Sequence, residues 1–205
     1  MKDSMDYEVQ LKGIYKTYGN NKVLENLNMN FLKNKITVVT GPSGCGKTTL
    51  LNIICGIEKP DCGEVLSSEQ GISYIFQEDR LLPQLTVFQN IAFVLKSNMT
   101  NEEMKPVIER YLTLVKMTDA KDKYPSQLSG GMKRRVAIAR AFAYGSRLLL
   151  MDEPFKGLDD KLKREIIEQF LQVYREDKRT IIFVTHDMKE AEMLGDVIYK
   201  LGQVD

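Results

Sequence analysis

The chain has no apolar run approaching the ~20 residues that a membrane-spanning helix requires, so it is expected not to cross a bilayer by itself. Its three cysteines, Cys45, Cys55 and Cys62, form no C-x-x-C pair and cannot all pair within the chain. Reduced thiols are the simpler reading, and a cysteine-built metal site is not expected. Histidine occurs once, as His186. A net charge of +1 implies no large sequence-independent attraction to nucleic acid, and no nucleic-acid partner is expected. The N-terminal stretch Met1-Lys2-Asp3-Ser4-Met5-Asp6 is polar and leads into no signal-type apolar segment, which predicts a cytoplasmic location. Internal repeats and low-complexity tracts are lacking. The 205 residues are 43% hydrophobic and 28% charged, an ordinary globular mixture long enough to bury a substantial interior.

The most informative stretch is Gly41-Pro42-Ser43-Gly44-Cys45-Gly46-Lys47-Thr48, which fits G-x-x-x-x-G-K-[ST]. The apolar run Ile36–Thr40 before it reads as a buried strand, and Thr48–Cys55 after it reads as a helix. That context turns the pattern into a phosphate-binding loop. Glycines let the backbone curl so that successive N–H groups face an anion, and the helix adds its positive end. Lys47 would reach the outer phosphates, the Thr48 hydroxyl would ligate Mg²⁺, and Thr49 belongs to the same nucleotide-binding set.

Around this loop the sequence alternates strands and helices. Glu8–Tyr15 and Leu24–Phe31 alternate polar and apolar, as antiparallel half-exposed strands do. Gly71–Phe76, Arg147–Met151, Thr180–Thr185 and Asp196–Leu201 read as further strands, and Lys161–Arg175 as a helix. Asp187-Met188-Lys189-Glu190 predicts a short capped helix. Between residues 80 and 145 the character changes. Capping boxes at Thr86–Gln89 and Thr100–Glu103 open helices toward Lys96 and about Met117, and Ser129 caps a third whose apolar face runs Met132, Val136, Ala139, Ala143. These helices read as an insertion, giving a single domain with a core at 1–79 and 146–205 and a helical subdomain at 80–145. The apolar strands predict an α/β fold with a mainly parallel sheet covered on both faces.

A phosphate loop alone fits kinases, helicases, GTPases and transport motors. The strand Leu148–Met151 ends in Asp152 and Glu153. In nucleotide hydrolases the first acid at such a strand end holds Mg²⁺, and the second can orient or deprotonate the attacking water. Leu128-Ser129-Gly130-Gly131-Met132 is a second Gly-rich helix start, offering N–H groups, a hydroxyl and a positive helix end to an anion. One nucleotide has no evident need for two such sites.

At this point the chain resembles the ATP-binding-cassette ATPases, whose signature is Leu-Ser-Gly-Gly-x at a helix start. Motif order agrees along essentially the whole chain: phosphate loop, Gln77, signature, Asp152-Glu153, Gly157-Leu158-Asp159, then His186 after a strand. The resemblance implies a RecA-like phosphate-loop core with N-terminal antiparallel strands and an inserted helical subdomain. It implies that Tyr18 stacks on adenine, that Gln77 touches Mg²⁺ and the water, and that His186 contacts the γ-phosphate. Ser129, Gly130 and Gly131 would bind ATP held by another subunit, and Asp159 would lie in the loop that crosses between subunits. Catalysis would fall to Glu153, His186 and Lys47, with Thr48, Gln77 and Asp152 at the metal. The implied cofactors are ATP and Mg²⁺, the implied assembly a head-to-tail pair of cassettes on an integral membrane permease, and a solute-binding protein at system level. The cassette would sit peripherally on the inner face of the cell membrane.

The stretch Phe76–Asn90 and Glu153-Pro154-Phe155 resemble ATPases of nitrate, sulfonate, taurine and pyrimidine-type importers. Departures from the family pattern are Arg134, where glutamine is common, and Lys156 and Gly157 in place of Ser-Ala. The end soon after Leu201 implies no C-terminal regulatory domain of the kind some importers carry. Three alternatives stay open: a soluble cassette ATPase of DNA repair or translation, an exporter or lipoprotein-release-type ATPase, and a small-molecule kinase.

Overall fold

A computed structural model describes residues 6–67, 71–176 and 178–202; the polar residues 1–5 lie outside them. The chain divides into two compact units, the first formed by residues 1–72, 147–153 and 178–205, the second by 73–146 and 154–177.

The first unit holds two sheets. Strands β1 (Tyr7–Tyr18), β2 (Asn21–Leu32) and β4 (Cys62–Ser67) form an antiparallel sheet in the order β2-β1-β4. The expected alternation holds from Val9 onward: Val9, Leu11, Ile14, Leu24, Met29 and Phe31 are buried between residues at least partly exposed, while Glu8 beside Val9 is itself buried. Strand β4 had no counterpart in the sequence reading. It is almost wholly exposed, so it carries no alternation to find.

The second sheet runs β6 (Leu148–Asp152), β7 (Thr180–Thr185), β3 (Ile36–Thr40), β8 (Val197–Lys200), all parallel. Every residue of β3, β6 and β7 is buried. β-branched and aliphatic side chains suit such two-sided burial, and each fully buried one contributes about 1.5–3 kcal/mol. Helix α1 (Lys47–Ile54) packs on β6 and β7, and α6 (Met188–Leu194) on β3 and β7. Parallel strands put all their C-terminal ends on one edge, so the residues following β3, β6 and β7 emerge side by side. Thr40 pairs with Thr185, and Asp152 with Val184.

The second unit contains β5 (Ile72–Ile75) and the helices α2 (Val87–Leu95), α3 (Asn101–Leu114), α4 (Gly130–Tyr144) and α5 (Asp160–Glu176). Both expected capping boxes form: Thr86 with Gln89 and Thr100 with Glu103. Helix α3 ends at Leu114, short of the expected Met117, and Lys116 turns into the left-handed region at φ 54°. Helix α4 packs on α2 and α3 and is buried well beyond the expected stripe, with Val136, Ala137, Ile138, Ala139 and Phe142 all enclosed. Phe142 stacks on Phe170 of α5 with ring centroids 5.2 Å apart. Asn90, fully buried, accepts from Leu82 N and donates to the carbonyls of Leu82, Leu85 and Thr86, pinning the turn before α2.

Candidate active site

The loop from Gly41 to Gly46 follows β3 at the C-terminal edge of the parallel sheet and delivers the chain into α1. Gly46 caps that helix at φ 98°, with Leu50 N donating to its carbonyl at 2.8 Å. A Cβ on Gly46 would lie 2.8 Å from Val23 Cγ1 and 2.9 Å from Leu24 Cδ2, so strand β2 presses directly on the loop. At Gly41 a Cβ would meet the Leu201 carbonyl at 2.4 Å and Cys45 Sγ at 2.7 Å. The chain after β8 thus backs the loop from the other side. Neither wall was read from sequence, because nothing local marks Val23 or Leu201 as loop neighbours.

Lys47 is buried and folds over its own loop, its Nζ donating to the carbonyls of Gly41 and Pro42 at 2.8 Å each. Pro42, Ser43, Gly44 and Thr48 are exposed on this edge, while Cys45 and Thr49 are half-buried. The helix start beside them presents N–H groups and a positive end to an anion.

Three residues on the same sheet edge come from β6 and β7. Asp152 is buried as the last residue of β6, and Glu153 follows it. His186 follows β7, the strand between β6 and β3. Glu153 Oε1 lies 2.8 Å from His186 Nδ1. Glu153 adopts φ 45°, rare for a side-chain-bearing residue, and its N–H donates to Val184 O at 3.0 Å. The His186 turn is braced by Thr185, whose Oγ1 donates to the buried Glu190 at 2.7 Å and accepts from Asp187 N at 3.0 Å. Asp187 in turn caps α6.

The described residues contain no cluster of three or more histidines, cysteines and acids able to cage a metal alone. The donors on this edge, the Thr48 hydroxyl and the Asp152 carboxylate, are hard oxygen ligands that fit Mg²⁺ held jointly with phosphates.

Tyr18 ends β1 with its ring partly exposed. Its hydroxyl donates to Glu58 Oε2 at 2.5 Å. Burial is the main cause of the raised Tyr18 pKa, and the bond to Glu58 adds to it. The same bond holds the Glu58 carboxyl below its ordinary range. Burial works to lower the Lys16 ammonium, but Glu58 and Asp61 outweigh it and leave its pKa raised.

The remaining sequence candidates lie in the second unit. Gln77 follows β5. The segment around it is gripped from α4: Arg134, buried, donates to Phe76 O at 2.5 Å and pairs with Asp79 at 3.5 Å, and Arg140 donates to the carbonyls of Asp79 and Arg80. Arg80 stacks over the Phe76 ring at 3.8 Å. Arg134, a departure in sequence, thus acts as a buried clamp that no local pattern announces.

Ser129 caps α4, its Oγ accepting from Met132 N at 3.3 Å, and Ser129 and Gly130 stand exposed at that helix start with Gly131 half-buried behind them. Asp159 accepts from Leu162 N at 3.0 Å and opens α5.

A family model described as ABC transporter matches residues 24–156. The chain is 36% identical over 214 residues to the sulfate/thiosulfate import ATP-binding protein of Mannheimia succiniciproducens, covering 96% of this chain and 60% of that protein. It is 40% identical over 207 residues to the spermidine/putrescine import ATP-binding protein of Thermotoga maritima, covering 96% of this chain and 56% of that protein. It therefore spans a little over half the length of these relatives. A bacterial ABC transporter cassette solved as a dimer superposes with a TM-score of 0.85 at 32% identity, covering 94% of each chain.

Proposed function

The chain belongs to the ABC transporter family as an ATPase domain, and from that premise we propose that it hydrolyses ATP to power the movement of a small solute through a separate membrane permease. The observation that carries the reading is the single sheet edge on which the phosphate loop, Asp152, Glu153 and His186 emerge together. Lys47 and the loop N–H groups bind the phosphates. Thr48 and Asp152 would hold Mg²⁺, which would neutralise charge on the phosphate oxygens. Glu153 takes the proton of the attacking water, and His186, touching it, orients that carboxylate and the γ-phosphate. Tyr18 supports the adenine.

The exposed anion-ready start of α4 is explained if it serves a second molecule. Ser129, Gly130 and Gly131 then close over ATP held by a partner cassette, with Asp159 at the crossing loop. The related cassette solved as a dimer supports that pairing. No helix among the described residues is long and apolar enough to cross a membrane. In this reading the permease is a separate chain and the cassette docks peripherally on the inner membrane face.

Import is favoured by the two relatives whose names state import of sulfate/thiosulfate and of spermidine/putrescine. A nitrate-, sulfonate- or taurine-type cargo rests on the resemblance of Phe76–Asn90 and Glu153-Pro154-Phe155 alone. A solute-binding protein belongs to the same proposal. Phosphate release from MgATP without any acceptor, together with co-purification of a polytopic membrane protein, is the expected result. Transfer of the γ-phosphoryl group to a small-molecule acceptor, with no free phosphate released, would instead indicate a kinase, and phosphate release without a membrane partner a soluble cassette ATPase.

A further inference from the structure

A network of side chains in the first unit lies around Tyr18. The Tyr18 hydroxyl donates to Glu58 at 2.5 Å. Lys16 Nζ sits 3.2 Å from Glu58 Oε1, 2.8 Å from Lys59 O and 5.4 Å from the centre of the Tyr18 ring. Asp61 accepts from Thr17 N at 2.7 Å, and its own N–H donates to Tyr15 O at 2.8 Å. The turn carrying residues 58–61 is thus strapped to the end of β1 through Tyr15, Lys16, Thr17 and Tyr18.

We propose that Glu58 is a positioning residue for the nucleotide base, holding the Tyr18 ring in its stacking pose. The proposal rests on Tyr18 being the base platform. An aromatic ring 45% exposed would otherwise sample several rotamers. Fixing it beforehand removes the cost of ordering that ring from binding. Lys16 lies within cation–π range of the ring and is itself held by Glu58, so one carboxylate orders both groups.

The test is calorimetric titration of MgATP, and separately of magnesium tripolyphosphate, which has no base. The proteins are wild type, Tyr18→Phe, Glu58→Ala, their double variant and Tyr18→Ala. Tyr18→Phe and Glu58→Ala should each weaken MgATP binding about 3–10-fold. The double variant should lose no more than the weaker single, because both remove one interaction. Tripolyphosphate affinity should stay within about twofold, and KM for ATP should rise while kcat moves less than about twofold. Wild-type MgATP affinity in Glu58→Ala, with Tyr18→Ala still impaired, overturns the role of Glu58 and leaves the platform standing. Equal losses for MgATP and tripolyphosphate also overturn it, since Glu58 would then act through the fold. Full affinity in Tyr18→Ala refutes the platform itself. Should Glu58→Ala melt at assay temperature, Tyr18→Phe, which removes a single oxygen, decides alone.

Discussion

His186 Nδ1 lies 2.8 Å from Glu153 Oε1, joining the residue after β7 to the residue after β6. Glu153 reaches that contact from a left-handed backbone at φ 45°, a conformation that costs of order 1–3 kcal/mol and persists where the surroundings impose it. Strain of this kind next to a phosphate loop fits a carboxylate aimed at one point rather than a solvated turn residue.

Glu153→Gln keeps the side-chain shape and removes the base. Phosphate release should fall by about 10²–10⁴, with MgATP affinity within about threefold of wild type. A wild-type rate would take Glu153 out of the base role. The backbone claim is separable: Glu153→Val should unfold at lower urea than Glu153→Asn by about 1–3 kcal/mol, because a β-branched residue tolerates φ 45° poorly and asparagine tolerates it well.

Gly46 tests the wall behind the loop. Gly46→Ala places a Cβ 2.8 Å from Val23 Cγ1 at φ 98° and should cost about 1–3 kcal/mol while abolishing measurable MgATP binding. Gly56→Ala, at φ 75° with open space around it, should cost about 1 kcal/mol and retain binding. Equal binding by both variants would mean the loop tolerates displacement by β2.

Cys45 reports loop occupancy. Cys62 is exposed, Cys45 and Cys55 are half-buried, and burial pushes the Cys55 thiol up. A maleimide should modify Cys62 first and Cys55 last. Saturating MgATP should slow Cys45 about tenfold or more by mass spectrometry while leaving Cys62 unchanged. Unchanged labelling of Cys45 would place the triphosphate elsewhere.

The parts of this fold carried by local pattern were legible in the sequence. The buried strands β3, β6 and β7 announce themselves as short apolar runs, and the capping boxes at Thr86 and Thr100 name their own hydrogen bonds. The places of Asp152, Glu153 and His186 at strand ends were legible because each closes or follows a short apolar run. Strand β4 escaped because an exposed edge needs no apolar residues. Glu58 and Tyr18 are separated by 40 positions, and Arg134 and Phe76 by 58, so only the folded backbone brings these pairs together. The end of α3 was placed late because the turn at Lys116 is imposed by packing rather than by a glycine or proline.

Ser129 probes the second half-site. It is exposed and caps α4, so Ser129→Arg should cost about 1 kcal/mol in stability and block closure over a partner's phosphate. ATP hydrolysis should be lost while the isolated monomer binds MgATP within about threefold of wild type. Loss of monomer binding would put Ser129 on the chain's own nucleotide.

The central claim is that two cassettes close around each triphosphate, and light scattering of Glu153→Gln with saturating MgATP measures it most directly. The account predicts a particle of twice the 23.5 kDa chain mass that reverts to monomer when nucleotide is removed. A Glu153→Gln protein that binds MgATP yet stays monomeric at high concentration, and pairs with no second cassette in its permease complex, would contradict it.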